Sequence, residues 1–192
     1  MNNSKALLYT TQNDLLLNNL MEFYKNEENL DRMLKIITGE SRISLRIVDW
    51  FSTNYAKKNY TLYVIEENDN NCERRFKVYQ DYKLKLKAYS KRRFDPFCRW
   101  DRISIPYKGD KYIETTIGQL NFFKWALENK VVDYIDDNYE TIEKDMNGRN
   151  STSKRKEMAI DNAKTRKKRE ELSISATKSI KKENVEIVVQ FN

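Results

Sequence analysis

The segment YQDYKLKLKAYSKRRFDPFCRWDR, residues 79–102, mixes cations and aromatic rings more densely than any other part of the chain. Lysines alternate with apolar residues over 83–88, which is the period of an edge strand. A helix is the preferred interpretation, because four apolar residues recur on one helical stripe: Tyr79, Tyr82, Leu86 and Tyr89. The helix should end before Pro96, since the residue preceding a proline is disfavoured in helical space.

Three helices are predicted before this segment. The first covers residues 13–24, and the second follows Asn26 as its N-cap and ends at Gly39. Strand-like alternation begins at Ile43, but the apolar repeat continues for three turns over 44–55 and favours a third helix. Trp50 and Phe51 would be core anchors of that helix.

Two hairpins and three more helices complete the predicted fold. The hairpins pair residues 60–66 with 75–79 across a turn at 68–71, and 103–107 with 112–114 across a turn at 108–110. The helices cover 119–129, capped by Thr115 or Thr116, then 131–135, and an acidic helix at 139–146. The sequence therefore predicts an α+β fold in which helices flank short antiparallel strands within a single globular domain, residues 1–146.

The remaining residues, 147–192, form a predicted basic arm. Twelve Lys and Arg and four Asp and Glu lie between 147 and 182, so this region carries the chain's formal net charge of +7 and the rest is close to neutral. The composition of 147–156 (NGRNSTSKRK) predicts a linker. The apolar run VEIVVQF at 185–191 predicts a strand, which we expect to pair with the chain's own sheet or with a partner's sheet edge.

The sequence lacks residues that several classes of enzyme and metal site require. The chain has no histidine, which removes Ser-His and Cys-His nucleophile pairs, His-ligated zinc and the common general base. It also has no Gly-rich phosphate-binding motif. Cys72 and Cys98 stand far apart without a ligand motif, and no apolar window is long enough to span a membrane. We expect an intracellular, non-secreted protein that is not an enzyme and needs no cofactor or metal.

The pattern favours nucleic-acid binding with little sequence preference, to DNA or RNA. Cations hold phosphates and flat rings stack on bases. The predicted contacts in the central segment are Lys83, Lys85, Lys87, Tyr89, Lys91, Arg92, Arg93, Arg99, Trp100 and Arg102. Those in the arm are Lys154, Arg155, Lys156, Lys164, Arg166, Lys167, Lys168 and Arg169. The alternative for the central segment is an amphipathic element with solvated lysines and core tyrosines, and for the run 164–169 it is nuclear targeting.

Two other functions stay open. The first is a virion or assembly protein whose arm clips onto partner chains through 185–191. The second, more remote, is a magnesium-dependent nuclease, in which Glu66 or Glu67 would act with Asp81 and Lys83, because an acid followed by acid-x-Lys can hold Mg²⁺ and position a water molecule.

Four blocks also resemble an uncharacterised family of small basic proteins of the nucleocytoplasmic large DNA viruses, the giant viruses. They are SRISLRIVDWFSTNYAKKN (41–59), YSKRRFDPFCRWDRI (89–103), TTIGQLNFFKWALENKVVDYI (115–135) and KKREELSISATKSIKKENVEIVVQFN (167–192). The resemblance implies a viral origin and a location in the host cytoplasm, at the viral factory, or in the virion. It brings no activity or catalytic residue.

Overall fold

The computed structural model describes residues 12–67, 72–99, 102–107, 111–160 and 181–184. Its elements, in chain order, are α1 (Gln12–Tyr24), α2 (Glu27–Thr38), α3 (Leu45–Trp50), a π-helical turn (Phe51–Tyr55), α4 (Ala56–Lys58), β1 (Leu62–Glu67), β2 (Cys72–Lys77), α5 (Val78–Phe94), β3 (Arg102–Tyr107), β4 (Lys111–Thr116), α6 (Ile117–Glu128), α7 (Val131–Asp137), α8 (Tyr139–Ile160) and β5 (Lys181–Asn184). Helices surround two small antiparallel sheets, which confirms the predicted α+β class.

Helix α6 is the centre of the core because it is apolar around most of its circumference. Ten of its residues are buried, including Phe122, Phe123 and Trp125. The Thr116 hydroxyl accepts a hydrogen bond from Gln119 N and caps the helix, as predicted. The buried hydroxyl of Tyr24, in α1, donates a hydrogen bond to the Leu120 carbonyl of α6 at 2.7 Å, which satisfies the hydroxyl and joins the two helices.

The predicted helix boundaries in the first part of the chain are confirmed. Asn26 caps α2 by accepting from Glu28 N, and Gly39 ends it in the left-handed region at φ 79°. The Ser44 hydroxyl caps α3, so the helical interpretation of this region is correct and the strand alternation is not realised. Phe51 is fully buried as predicted, whereas Trp50 is half-buried and its indole N–H donates to Asp145.

The two hairpins form where the β-type runs predict them. β1 pairs with β2 from Leu62↔Lys77 to Glu67↔Cys72, and β3 pairs with β4 from Arg102↔Thr116 to Tyr107↔Lys111. The predicted return strand of the first hairpin ends at Lys77, since Val78 already begins α5. Both predicted turns, 68–71 and 108–110, lie outside the described residues.

The prediction of a linker at 147–156 is wrong, because α8 continues through this region to Ile160. The segment has no proline, and a single glycine costs only about 1 kcal/mol in a helix, so the helix-forming residues that follow can extend it. After residues outside the description, β5 pairs antiparallel with β4 and completes a three-stranded sheet ordered β3-β4-β5. The predicted strand at 185–191 lies outside the described residues. Among the described helices, none combines the length and apolar character that a membrane crossing requires.

Candidate nucleic-acid interface

The central segment forms α5, so the helical prediction is confirmed and the edge-strand alternative is wrong. The inner side of the helix packs on α6 through Tyr82 and Phe94, which are both buried. Their rings lie 5.8 Å from each other and 5.8 Å from the Trp125 ring. The apolar stripe of α5 is therefore part of the core, and the remaining faces of the helix can carry charge.

Polar contacts and a close approach lock α5 against α6. The Trp125 indole donates to Asp81 Oδ1 at 2.6 Å, and Asn121 Nδ2 donates to the Arg93 carbonyl at 2.9 Å. At Gly118 the two backbones come so close that a Cβ atom would lie 2.7 Å from the Asp95 carbonyl oxygen. These contacts fix the position of the helix, so the side chains on its outer side project from a rigid support.

The outer side of α5 presents a row of cations. Lys83 and Lys87 are exposed and lie one helical turn apart, and exposed Lys91 and Arg92 follow. Within the part of the chain that the structure describes, Lys83, Lys87 and Lys91 form no ion pair. We call Lys83, Lys87, Lys91 and Arg92 the cationic face of α5.

A kink divides this face and leads into a cleft. Ser90 has φ 63° and ψ 167°, a conformation that residues other than glycine rarely adopt. Immediately beyond it lies an open cleft of about 640 Å³, which we call the basic cleft; it is lined by Lys91, Arg92, Asp95, Phe97, Cys98 and Arg99. Among the described residues, the lining thus joins two cations of α5, one cation from the loop that follows Pro96, and the carboxylate of Asp95.

The Asp95 carboxylate lies near a second acid, Asp49. Asp95 Oδ1 accepts a hydrogen bond from Phe97 N at 2.9 Å, which holds the loop after α5. Asp49, at the end of α3, lies close enough to Asp95 for their charges to interact. Burial, and then the Asp95 charge, raise the pKa of Asp49 to about 7. The Asp49 carboxyl is therefore partly protonated near neutral pH.

Comparison with other proteins places the chain in a family. A family model described as a family of unknown function (DUF7197) matches residues 1–192. The chain belongs to this family. It is also 48% identical over 130 residues to "Uncharacterized protein L507" of Acanthamoeba polyphaga mimivirus, a match that covers 65% of this chain. The matched region is 49% of that relative, so the chain spans about half of the relative's length. No solved structure matches the chain. The mimivirus relative agrees with the giant-virus resemblance seen in the sequence.

The remaining predicted residues of this DUF7197 member do not all join the cationic face. Lys85, Tyr89 and Arg93 are half-buried, and the Tyr89 ring stacks on Phe94 with centroids 6.1 Å apart. Arg102 is exposed on β3 and forms an ion pair with Glu114 at 3.0 Å. Trp100 lies outside the described residues. Of the predicted contacts in the arm, Lys154, Arg155 and Lys156 are described by their helical backbone. Outside the described residues lie Lys164, Arg166, Lys167, Lys168 and Arg169.

The aromatic contacts that the sequence predicts are Tyr89 and Trp100. Tyr89 is half-buried against the core, and Trp100 lies outside the described residues. Tyr82 and Phe94 are buried, as the alternative of core rings expects. Among the residues that the structure describes, the exposed aromatic ring is that of Tyr60, which precedes the first hairpin and is 90% accessible. Sequence reasoning missed it, because a tyrosine next to a strand rich in β-formers has the same local pattern whether its ring is buried or exposed.

The residues of the nuclease alternative are partly engaged in packing. The Asp81 carboxylate accepts from the Trp125 indole on the inner side of α5, while Lys83 lies on the outer side. The side chains of Glu66 and Glu67 lie outside the described set. Among the described residues, no three acidic, Cys or His side chains come together as a metal site would require.

Proposed function

We propose that this protein binds nucleic acid without catalysing a reaction, through the cationic face of α5 and the basic cleft. The observation that carries the proposal is that Lys83, Lys87 and Lys91 form no ion pair with the described part of the chain, although they project from a helix locked onto the core. Neighbouring like charges repel, so a phosphate backbone is the partner that relieves this arrangement.

The basic cleft supports a phosphate contact at one end of the face. Two of its cations are arginines, Arg92 and Arg99, whose planar groups can bind phosphate through two parallel hydrogen bonds. Asp95 lies in the same cleft and reduces its net charge, so we expect a few phosphates to be held rather than a strongly attractive pocket. The cations of the arm would add electrostatic attraction without reading sequence.

Sequence preference should be weak. Lysine contacts to phosphate fix the position of a nucleic acid but carry no base information. The cationic face has no adjacent amide side chain suited to base edges, apart from exposed Gln80. We place the nuclease behind this proposal because Asp81 is already hydrogen-bonded to Trp125.

An assembly function is the second candidate, and β5 favours it. β5 pairs with β4 from Lys111↔Asn184 to Glu114↔Lys181, although it lies far along the chain. A strand added to a sheet edge in this way can also be exchanged between copies of a protein. Viral partner proteins could use the same edge. This candidate predicts a stable oligomer whose formation is independent of salt, measured by light scattering.

The test is fluorescence anisotropy of labelled 20-nucleotide DNA, RNA and 20-base-pair duplex DNA at 50 and 200 mM KCl. For the full chain we expect the logarithm of the affinity to fall linearly with the logarithm of the salt concentration. Replacing Lys83, Lys87 and Lys91 together by Gln should make the slope of the logarithm of the affinity against the logarithm of the salt concentration shallower by about two to three. The affinity itself should fall by roughly tenfold or more. Replacing the five arm cations between 164 and 169 by Gln should weaken binding further.

The matched control is the triple variant Lys25→Gln, Lys35→Gln and Lys144→Gln, which removes the same charge from exposed positions elsewhere. It should change the affinity much less than the variant of α5. Equal losses in the two variants would show that only the net charge matters and that α5 is not the contact. Absence of binding by the full chain at 50 mM KCl would refute nucleic-acid binding altogether.

A further inference from the structure

Tyr60 is unusual in both its backbone and its side chain. Its φ is 49°, in the left-handed region, and its ring is 90% exposed. It follows α4, where Thr61 N donates to the Ala56 carbonyl at 3.1 Å and closes the helix end. Glycine is the usual residue at such a left-handed helix end, and the same chain uses Gly39 to end α2.

Neither the backbone nor the core explains a tyrosine at this position. Glycine or asparagine would adopt the left-handed conformation with less strain. The exposed ring buries almost no apolar area, and in the described part of the chain it makes no hydrogen bond, ring contact or ion pair. A side chain that is unfavourable for the backbone and contributes nothing to packing is best explained by a contact with another molecule.

The first hairpin has an exposed surface of its own, and its strand β1 begins two residues after Tyr60. Leu62 and Val64 lie on its outer side with 47% and 51% of their surface accessible. Their cross-strand partners are Lys77 and Arg75, which are exposed and form no ion pair within the described residues. Tyr60, Leu62, Val64, Arg75 and Lys77 together make what we call the hairpin face. Exposed Glu73 lies farther along the same side of β2.

The hairpin face adjoins the start of α5. Val78 N, the first residue of α5, donates to the Thr61 carbonyl at 3.3 Å. The Lys57 ammonium of α4 lies 5.6 Å from the centre of the Tyr79 ring, so α4 and α5 touch next to Tyr60. Lys83 comes five residues after Val78, about 8 Å along a helix. A ligand on the cationic face can therefore continue onto the hairpin face.

We infer that the hairpin face is a stacking site for single-stranded nucleic acid, with Tyr60 stacking on a base and Arg75 and Lys77 contacting phosphates. This inference rests on the proposed function and specifies its ligand. The apolar side chains beside the ring suit an unpaired base, and the two cations suit the backbone that joins successive bases. A duplex keeps its bases stacked inside and cannot offer one to Tyr60, so single strands should be preferred.

The test compares Tyr60→Ala, Tyr60→Phe and Tyr60→Asn in the full chain, with poly-dT and poly-rU 20-mers and a 20-base-pair duplex as probes. Tyr60→Ala should lower the affinity for single strands by about tenfold, as loss of one stacked base predicts, and for duplex by less than about twofold. Tyr60→Phe should retain the affinity. The salt slope should be unchanged in all three, because stacking displaces no counterions, whereas the lysine variant of α5 reduces it.

Stability provides a second readout that folding defects cannot imitate. Tyr60→Asn should raise the Tm by about 2–4 °C while losing single-strand affinity, since asparagine tolerates the left-handed conformation. The control Leu15→Ala removes an exposed apolar side chain from α1 and should not change binding. If the full chain binds single strands and duplex equally and Tyr60→Ala affects neither, this inference is wrong while the proposed function stands. If the full chain binds no probe at 50 mM KCl, both are wrong.

Discussion

Within the residues that the structure describes, the acidic stretch 133–145 and the outer side of α5 differ in how the fold pairs their charges. Acids of α7 and of the first two turns of α8 are paired with cations from earlier elements: Arg32 with Asp133, Arg42 with Asp136 at 2.8 Å, and Lys58 with Asp145 at 2.8 Å. On α5, within the described residues, the three lysines of the outer side have no such partner.

The difference indicates what each set of charges does. The acids connect the end of the domain to its beginning, and Arg42 also lies 5.0 Å from the centre of the Tyr139 ring. Asp133, Asp136 and Asp145 are therefore already paired with cations of the folded domain. The lysines of α5 connect nothing within the described chain, so their charge is available to an external polyanion.

The largest effect on stability should come from a substitution that forces α5 away from α6. In Gly118→Ala the added Cβ would lie 2.7 Å from the Asp95 carbonyl oxygen and 3.3 Å from that of Arg92, both backbone atoms that cannot move aside alone. We expect a loss of about 3 kcal/mol in the free energy of unfolding, measured by urea denaturation.

The matched control for this substitution lies in α8. Gly148 is in α8, and a Cβ there would meet nothing within 4 Å. Gly148→Ala should therefore leave stability unchanged or raise it by up to about 1 kcal/mol, because alanine is the better helix former. Similar effects at both glycines would mean that α5 and α6 do not approach as closely as described.

A second, smaller effect is the pH dependence of stability, which should differ between Asp49, beside the end of α5, and Asp145 of α8. Burial and Asp95 raise the pKa of Asp49 to about 7, whereas the hydrogen bond from Lys58 lowers the pKa of Asp145. Between about pH 4 and pH 7 the folded state holds the Asp49 proton more tightly than the unfolded state, so this group lowers stability as the pH rises. The stabilising effect of Asp49→Asn should be about 2 kcal/mol larger at pH 8 than at pH 5.

Asp145 should behave in the opposite way. Because its pKa is lowered in the folded state, its stabilising contribution is complete above the pKa of the unfolded chain and is lost as the pH falls through the folded pKa. Asp145→Asn should therefore destabilise the protein by a similar amount at pH 5 and at pH 8. Chemical denaturation of both variants at the two pH values measures this contrast. A flat pH dependence for Asp49→Asn would show that Asp49 is ionised in the folded state.

Local signals predicted most of the fold. Three helices begin at a side chain that caps them, namely Asn26, Ser44 and Thr116, and α2 ends at Gly39 in the left-handed conformation. Capping and helix termination involve only neighbouring residues, so the sequence predicts them. The extent of α8 was missed because a polar composition was interpreted as a linker. Composition alone does not distinguish a linker from a solvated helix when no proline interrupts the chain.

The candidate site was only partly predictable, because it depends on which side of α5 meets the core. The sequence placed Lys83, Lys87 and Lys91 among ten candidates but could not separate them from half-buried Lys85 and Arg93. The Asp49–Asp95 pair brings together residues from α3 and the loop after α5, so no spacing rule could predict it. The same holds for Arg102, whose partner Glu114 is set by the register of β3 and β4.

The smallest expected effects are changes in stability when a single paired or unpaired cation is removed. Arg42→Gln removes a cation that contacts Asp136, and for such an exposed pair we expect a loss of about 0.5 kcal/mol. Lys87→Gln removes a cation that stands one helical turn from Lys83, and relief of that repulsion should leave stability unchanged or raise it by about 0.3 kcal/mol. Thermal unfolding at 20 mM and 500 mM NaCl measures both effects, and high salt should remove each of them. If Lys87→Gln instead destabilises the protein as Arg42→Gln does, Lys87 has a partner within the chain and the contrast between the two regions fails.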